Sequence, residues 1–283
     1  MEKYQKWSWS KPNNGEVALE NNCIVYSALW SSYHPFDFPN LPNALAKVDN
    51  VKSAIEFSKK YGILGYRSFT DTSSEIYCKG DPVEWFLLQA STVRFVLLLI
   101  KAIQTEDVKQ IKYLINDSVV QVPSNTFHDG ISSKHHTPVH VFSEGQETVY
   151  RLYNANKWKN NEYLLALQMV NLLINKNTEG VHRQLILDTN NLDRSLFQFA
   201  SRSLIESIWY LVGDAYLLSF EKKGKGVGTC EECGLPFIMT DKRQKFCPGD
   251  KFSKESICGT RNRVRKSRPP KEGKKNGINK KAR

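Results

Sequence analysis

The 283-residue sequence predicts a mainly α fold, α+β with minor strands: a helical N-terminal domain followed by a small C-terminal four-cysteine module. Three observations predict it. Several long segments carry apolar residues at helical spacing. Four of the six cysteines lie within 29 residues, from Cys230 to Cys258. The charge also divides between the two parts. Residues 230–283 hold 16 Lys/Arg against 6 Asp/Glu, a net of +10, which leaves only +1 of the total +11 for residues 1–229. Hydrophobic residues at 40%, with 11% aromatic, supply a real core and argue against wholesale disorder.

Taken in order, the first element is a β-like run around Ile24–Leu29, with Asn21-Asn22 as a turn between two short strands. The nearby aromatics, among them Trp7, Trp9, Tyr26, Tyr33 and Phe38, read as packing rather than base-stacking side chains. Pro35, Pro39 and Pro42 mark a loop. Asp49 or Asn50 caps a helix to about Tyr61, with Val51, Ala54, Ile55 and Ser58 on one face and Gly62 as the stop. Gly62 to Gly65 is a turn with an apolar plug. Asp81-Pro82 starts the longest helix, Asp as cap and Pro in the first turn. Val83, Phe86, Leu87, Ala90, Val93, Val96, Leu97 and Ile100 recur there at three and four, and further apolar residues widen the stripe almost all round. Such a helix is central to a core.

A second helix follows at about 106–116. Residues 119–153 are the least helical, with β-rich pieces at 119–122, 139–142 and 148–153. The helical period returns over 162–175, with Leu164, Leu167, Gln168, Asn171 and Ile174 sharing a face. Residues 184–187 form a short strand or an extended linker. Asp193 is expected to cap one long helix to about Phe220, with Phe197, Ala200, Leu204, Ile208, Leu211 and Ala215 as its stripe. The division that results is 1–220 for the helical domain, 221–229 for a glycine-rich linker, 230–268 for the cysteine module and 269–283 for a disordered basic tail.

The most apolar stretch, Trp85 to Ile103, is interrupted by Gln89, Arg94 and Lys101, and a membrane span needs about 20 apolar residues. Residues 1–14 lack the apolar core of a signal peptide. The expectation is a cytoplasmic protein without a membrane partner. In that compartment clustered cysteines bind metal more often than they form disulfides.

The cysteines run C-x2-C at Cys230 and Cys233, then Cys247 after thirteen residues and Cys258 after ten more. Zn²⁺ favours a tetrahedral set of soft thiolates, and C-x2-C lets one tight turn present two sulfurs. Gly234 suits that knuckle. Phe237-Ile238 reads as a short strand and Asp241-Lys242-Arg243 as a turn, after which residues 244–246 return to Cys247 as a hairpin carrying the third ligand. Cys258 opens a final helix whose N-terminal dipole faces the anionic centre. Four protein thiolates leave no open position, so the expected Zn²⁺ is a single structural ion. The alternative is four unlinked reduced thiols.

These residues resemble the CGNR zinc finger. The resemblance is carried by Cys230, Cys233-Gly234, the pair Phe237-Ile238, Arg243 with Phe246-Cys247, and Cys258-Gly259-Thr260-Arg261. It covers about 40 residues. Two departures stand out: Thr260 where the family has Asn, and ten residues between the last two cysteines where the family usually has about four. The resemblance implies a treble-clef-like, DNA-binding module behind an all-helical domain that senses a ligand or partner.

On a helix from Cys258, Arg261, Arg265 and Arg268 fall at i, i+4 and i+7, with Arg263 and Lys266 beside them. Arg forks suit phosphate or guanine edges, and phosphate contact is the simpler reading. The alternative is a solvated basic face. A second cluster, His128, Asp129, His135, His136 and His140, is either a further metal or nuclease site or a polar loop with surface histidines. No HExxH, Walker A, GxSxG or paired-carboxylate motif accompanies it, and a non-enzymatic role is favoured. The functional expectation is a nucleic-acid-binding protein, foremost a DNA-binding transcriptional regulator. The alternatives are an effector or defence nuclease targeted by the finger, and an RNA-binding module.

Overall fold

The computed structural model describes residues 8–13, 16–26, 30–66, 80–117, 136–143, 146–153, 162–187, 195–220, 226–239, 241–249 and 256–267. The expectations on residues 119–122, on Asp193, on 221–225 and on the tail 269–283 lie outside them. Within them the chain is mainly helical with small antiparallel sheets.

The chain opens with β1 (Trp9–Pro12), β2 (Ala18–Glu20), β3 (Cys23–Val25) and β4 (Trp30–Tyr33). β2 and β3 form a hairpin whose turn residues Asn21 and Asn22 both have positive φ, 47° and 60°, the geometry a two-residue hairpin turn demands. β1 pairs instead with β4. The proline-marked loop contains α1 (Leu41–Ala46), a short helix with Pro42 in its first turn, where a missing N–H costs nothing. α2 (Val51–Tyr61) starts in a capping box: the Asn50 side chain accepts from Ser53 N–H and Ser53 reciprocates. It ends at Gly62, φ 87°, where an added Cβ would lie 2.3 Å from the Ser10 carbonyl. Leu64, the plug of the turn, is fully buried.

The strand β5 (Asp81–Pro82) precedes α3 (Val83–Gln104). Asp81 does not cap this helix. Its carboxylate is buried and accepts from the backbone N–H groups of Leu64, Gly65 and Tyr66, so it closes the preceding turn. α3 is the hub on which α1, α2, α4 (Val108–Asp117), α5 (Glu162–Asn177) and α6 (Leu204–Ser219) pack. By length and composition it is the one described helix able to cross a membrane, with mean hydropathy 1.8, yet it lies in the core. Its polar residues serve that core. The Arg94 guanidinium donates to the Ala46 and Val48 carbonyls, both at 2.6 Å, and so satisfies the end of α1. Gln89 accepts from the Trp209 indole at 3.4 Å.

β6 (His136–Ser143) and β7 (Gln146–Tyr153) form a hairpin between α4 and α5. On α5 the buried edge is Ala166, Met169, Val170 and Leu173, while Leu164 is exposed, so the expected face is rotated. A helix that is apolar nearly all round gives its pattern little power to choose a face. β8 (His182–Leu187) pairs with β9 (Ser195–Ala200), and this corrects the single long helix expected to run to Phe220. Phe197 and Ala200 lie on a strand. The helix begins at Leu204 because Ser203 and Glu206 make a capping box, with Glu206 also accepting from Arg202 N–H at 2.7 Å.

β10 (Val227–Thr229) and β11 (Pro236–Ile238) follow, then α7 (Ile257–Ser267). The hairpin of β10 and β11 is packed on the helical core. Val227 and Ile238 are part of it, Val227 N–H donates to Gln104 Oε1 at 2.9 Å, and Ile238 N–H donates to Asn43 Oδ1 at 2.8 Å.

Candidate metal centre

β10 and β11 pair Val227 with Ile238, Gly228 with Phe237 and Thr229 with Pro236. The hairpin therefore spans the C-x2-C knuckle itself, and not the segment 244–246 as expected. That segment returns by a turn, Gln244 N–H to the Asp241 carbonyl at 3.0 Å. It meets the knuckle through Glu231 N–H and the Lys245 carbonyl at 2.9 Å. Within the knuckle Cys230 N–H donates to the Leu235 carbonyl at 3.0 Å and Gly234 N–H to the Cys230 carbonyl at 2.9 Å. Gly234 has φ 70°, the left-handed conformation that lets so tight a turn close.

The four sulfurs of Cys230, Cys233, Cys247 and Cys258 lie within 4.8 Å of one another. Cys233 Sγ and Cys247 Sγ are 3.5 Å apart, and none of the four is in a disulfide. A tetrahedral ion about 2.3 Å from each thiolate holds its sulfurs roughly 3.8 Å apart, so the spacing fits a metal. Phe237 is fully buried in one cluster with Cys230, Cys247 and Cys258, and Met239 and Phe246 pack against that cluster. This gives the apolar shell that thiolate sites favour.

The electrostatics call for a cation. Burial raises the Cys230 thiol, but the N–H groups of Cys233, Cys247 and Glu232 outweigh it and bring the thiol down from 9.0 to about 7. One of these contacts is Cys247 N–H on Cys230 Sγ at 3.4 Å. Cys258 is pushed up to about 11 by burial and then by the charges of Cys233 and Cys230. Burial also drives Cys247 far upward. One sulfur is prepared for ionisation, while Cys247 and Cys258 are held protonated until positive charge joins them. Four soft sulfur donors brought this close together could hold a metal ion, and their chemistry suits Zn²⁺.

Cys258 reaches the centre from the first turn of α7. Ser256 caps that turn, its Oγ accepting from Gly259 N–H at 3.0 Å and its carbonyl from Thr260 N–H at 2.9 Å. A serine just ahead of a helix is a start signal that the sequence carries openly, although the cysteine pattern drew the boundary at Cys258 instead. Asn262, one turn after Cys258, is also buried. Arg261, Arg263, Val264, Arg265 and Lys266 are exposed. Arg263 donates to Thr260 Oγ1 at 3.2 Å. Arg265 pairs with Glu232 of the knuckle at 3.0 Å, which clamps α7 to the site. Nothing in the spacing announced this pair, or the anchors Asn43 and Gln104. Arg268 lies outside the described residues.

Of the histidine cluster, His128, Asp129 and His135 lie outside the described residues. His136 and His140 sit on β6, opposite Tyr153 and Val149. Cys23 is disulfide-bonded and offers no thiol nucleophile. Cys78 lies outside the described residues. No family model, curated protein or solved structure matches the chain.

Proposed function

We propose that the chain is a zinc-dependent nucleic-acid-binding protein, a DNA-binding transcriptional regulator of the CGNR zinc finger type whose helical body senses a ligand or partner. One observation carries this reading. The helix that supplies Cys258 to the thiolate cluster also exposes Arg261, Arg263 and Lys266. The bound ion would hold Cys230, Cys233, Cys247 and Cys258 together as a structural centre. The four-thiolate set fixes the first turn of α7, and the cations that follow are presented on a rigid element. Arginine forks and a lysine on one helix suit phosphate oxygens, and the concentration of charge in residues 230–283, net +10, supplies attraction over distance.

The test is duplex DNA affinity against salt concentration, for wild type and for the combined change Arg261→Ala, Arg263→Ala and Lys266→Ala. Removing one cation that neutralises a phosphate should flatten the logarithmic salt slope by about 0.9. The expected result is at least roughly a tenfold loss of affinity and a slope flatter by about 2 to 3. Unchanged affinity with no salt slope in either protein overturns the reading.

A further inference from the structure

A cleft of about 460 Å³ separates α1 and α2 from the segment Cys247-Pro248-Gly249. Its size falls in the range of small-ligand sites, about 300–1,000 Å³. One side of it is a wall of the cysteine cluster, since Cys247 and the exposed Ile257 both line it. The other side carries Lys47, Lys52 and Lys60 over an apolar surface that includes Val48 and Phe57.

Lysines outnumber carboxylates in the lining of this cleft. Among the described residues that line it the only carboxylate is Glu56, which is paired with Lys59 at 3.2 Å. Among the described residues no carboxylate lies within ion-pair distance of Lys47 or Lys52. Lys60 is held below its ordinary value, first by burial and then by the charges of Lys47 and Lys11. Cations that repel one another over an apolar surface are stabilised by a bound anion. At the floor stands Asn43, only 3% exposed. Its Oδ1 is taken by Ile238 N–H, and its buried Nδ2 has no partner among the described residues. An unpaired buried donor is costly, and an acceptor oxygen reaching the floor would relieve it. The end of the cleft is closed by Asn40, whose Nδ2 donates to the Gly249 carbonyl at 2.7 Å.

We propose that this cleft binds a small organic phosphate, its phosphoryl group among Lys47, Lys52 and Lys60 and its apolar body against Val48, Phe57 and Ile257. Lysine serves here as a point charge for phosphate. The small volume and partly apolar lining favour a small molecule over the backbone of a nucleic acid. The inference rests on the sensing role proposed above for the helical body and assigns that role a place. Because the ligand touches both α2 and the Cys247 segment, its binding ties the body to the metal module.

The experiment is calorimetric titration of the full chain, in the absence of nucleic acid, with phenyl phosphate, inorganic phosphate and phenol. The proteins are wild type, the double change Lys47→Gln and Lys60→Gln, and Lys109→Gln on α4 as a control. Phenyl phosphate should bind once per chain, at least tenfold tighter than inorganic phosphate or phenol. The double change should weaken it at least tenfold, with Tm unaltered, while Lys109→Gln leaves it unchanged. Phenyl phosphate binding no tighter than inorganic phosphate, or binding equally well to the double variant, overturns the proposal. So does a double variant that keeps phenyl phosphate but loses duplex DNA, which would assign these lysines to the phosphodiester backbone. A wild type that binds phenyl phosphate but not DNA leaves the cleft standing and removes the regulator reading instead.

Discussion

Ile238 N–H donates to Asn43 Oδ1 at 2.8 Å and joins residues 195 apart in the chain. With Val227 N–H on Gln104 Oε1, it seats the β10–β11 hairpin on the helical core. Edge groups of a short hairpin that would otherwise need water are satisfied by two side chains of the body. Asn43→Ala removes the acceptor and leaves a buried N–H unpaired, a loss of about 1–3 kcal/mol. Urea unfolding should show a lower midpoint of that size, with the hairpin and helical body melting in one transition. A separate early transition of the metal module would contradict the seating.

Cys258 is the test of the metal centre. Its sulfur lies with the other three although ten residues separate it from Cys247. Cys258→Ser should reduce bound zinc from one ion per chain to a substoichiometric level in purified protein. It should also cut DNA affinity by roughly tenfold or more, because α7 loses its anchor. Elemental analysis with a parallel binding titration checks both. Full zinc occupancy in the variant would remove Cys258 from the ligand set.

Arg265 and Arg263 are expected to separate. The Arg265–Glu232 ion pair has side-chain exposures of 66% and 15%, so its contribution is small, about 0.5–1 kcal/mol. Arg265→Ala should lower both stability and DNA affinity, whereas Arg263→Ala should lower affinity alone. A double-mutant cycle with Glu232→Gln measures the coupling. Equal effects of the two arginines on Tm would show that the clamp has no mechanical role.

How much of this was written in the chain depends on the range of the interactions. Asn50, Gly62, the Asn21-Asn22 turn and the all-apolar α3 are local signals, and each element appears where its residues place it. The C-x2-C spacing and the later cysteines located the centre for the same reason: metal-ligand chemistry restricts the geometry tightly. The long helix expected from Asp193 failed because the segment reads both ways: Phe197 and Ala200 fit a helical period, Phe197 and Phe199 a strand alternation, and pairing with β8 decided between them. The Ser203–Glu206 box was a readable start signal that should have broken that helix. Asp81 misled differently, since a cap residue before Pro reads as local while its partners are 15 to 17 residues earlier. The seating of the hairpin on Asn43 and Gln104, and the cleft between α2 and the Cys247 segment, depend on contacts that no periodicity encodes.

Asp81 supplies the pH prediction. Burial pushes its carboxyl from 3.8 up to about 6, against the lowering effect of the Tyr66, Leu64 and Gly65 N–H groups. The folded value is above the unfolded one. The folded state therefore holds a proton between about pH 4 and 6 that the unfolded chain has released. Stability from this group is fully present below about pH 4 and is lost as pH rises through about 6. The displacement corresponds to on the order of 3 kcal/mol between those limits. Asp81→Asn removes the titration, and it costs stability at every pH because the amide nitrogen cannot accept from Leu64 N–H. Chemical denaturation of both proteins from about pH 3.5 to 7.5 checks this. The wild-type advantage over the variant should shrink as pH rises through about 5 to 6, and an advantage that grows with pH would mean that the three backbone donors outweigh burial and hold the carboxylate charged.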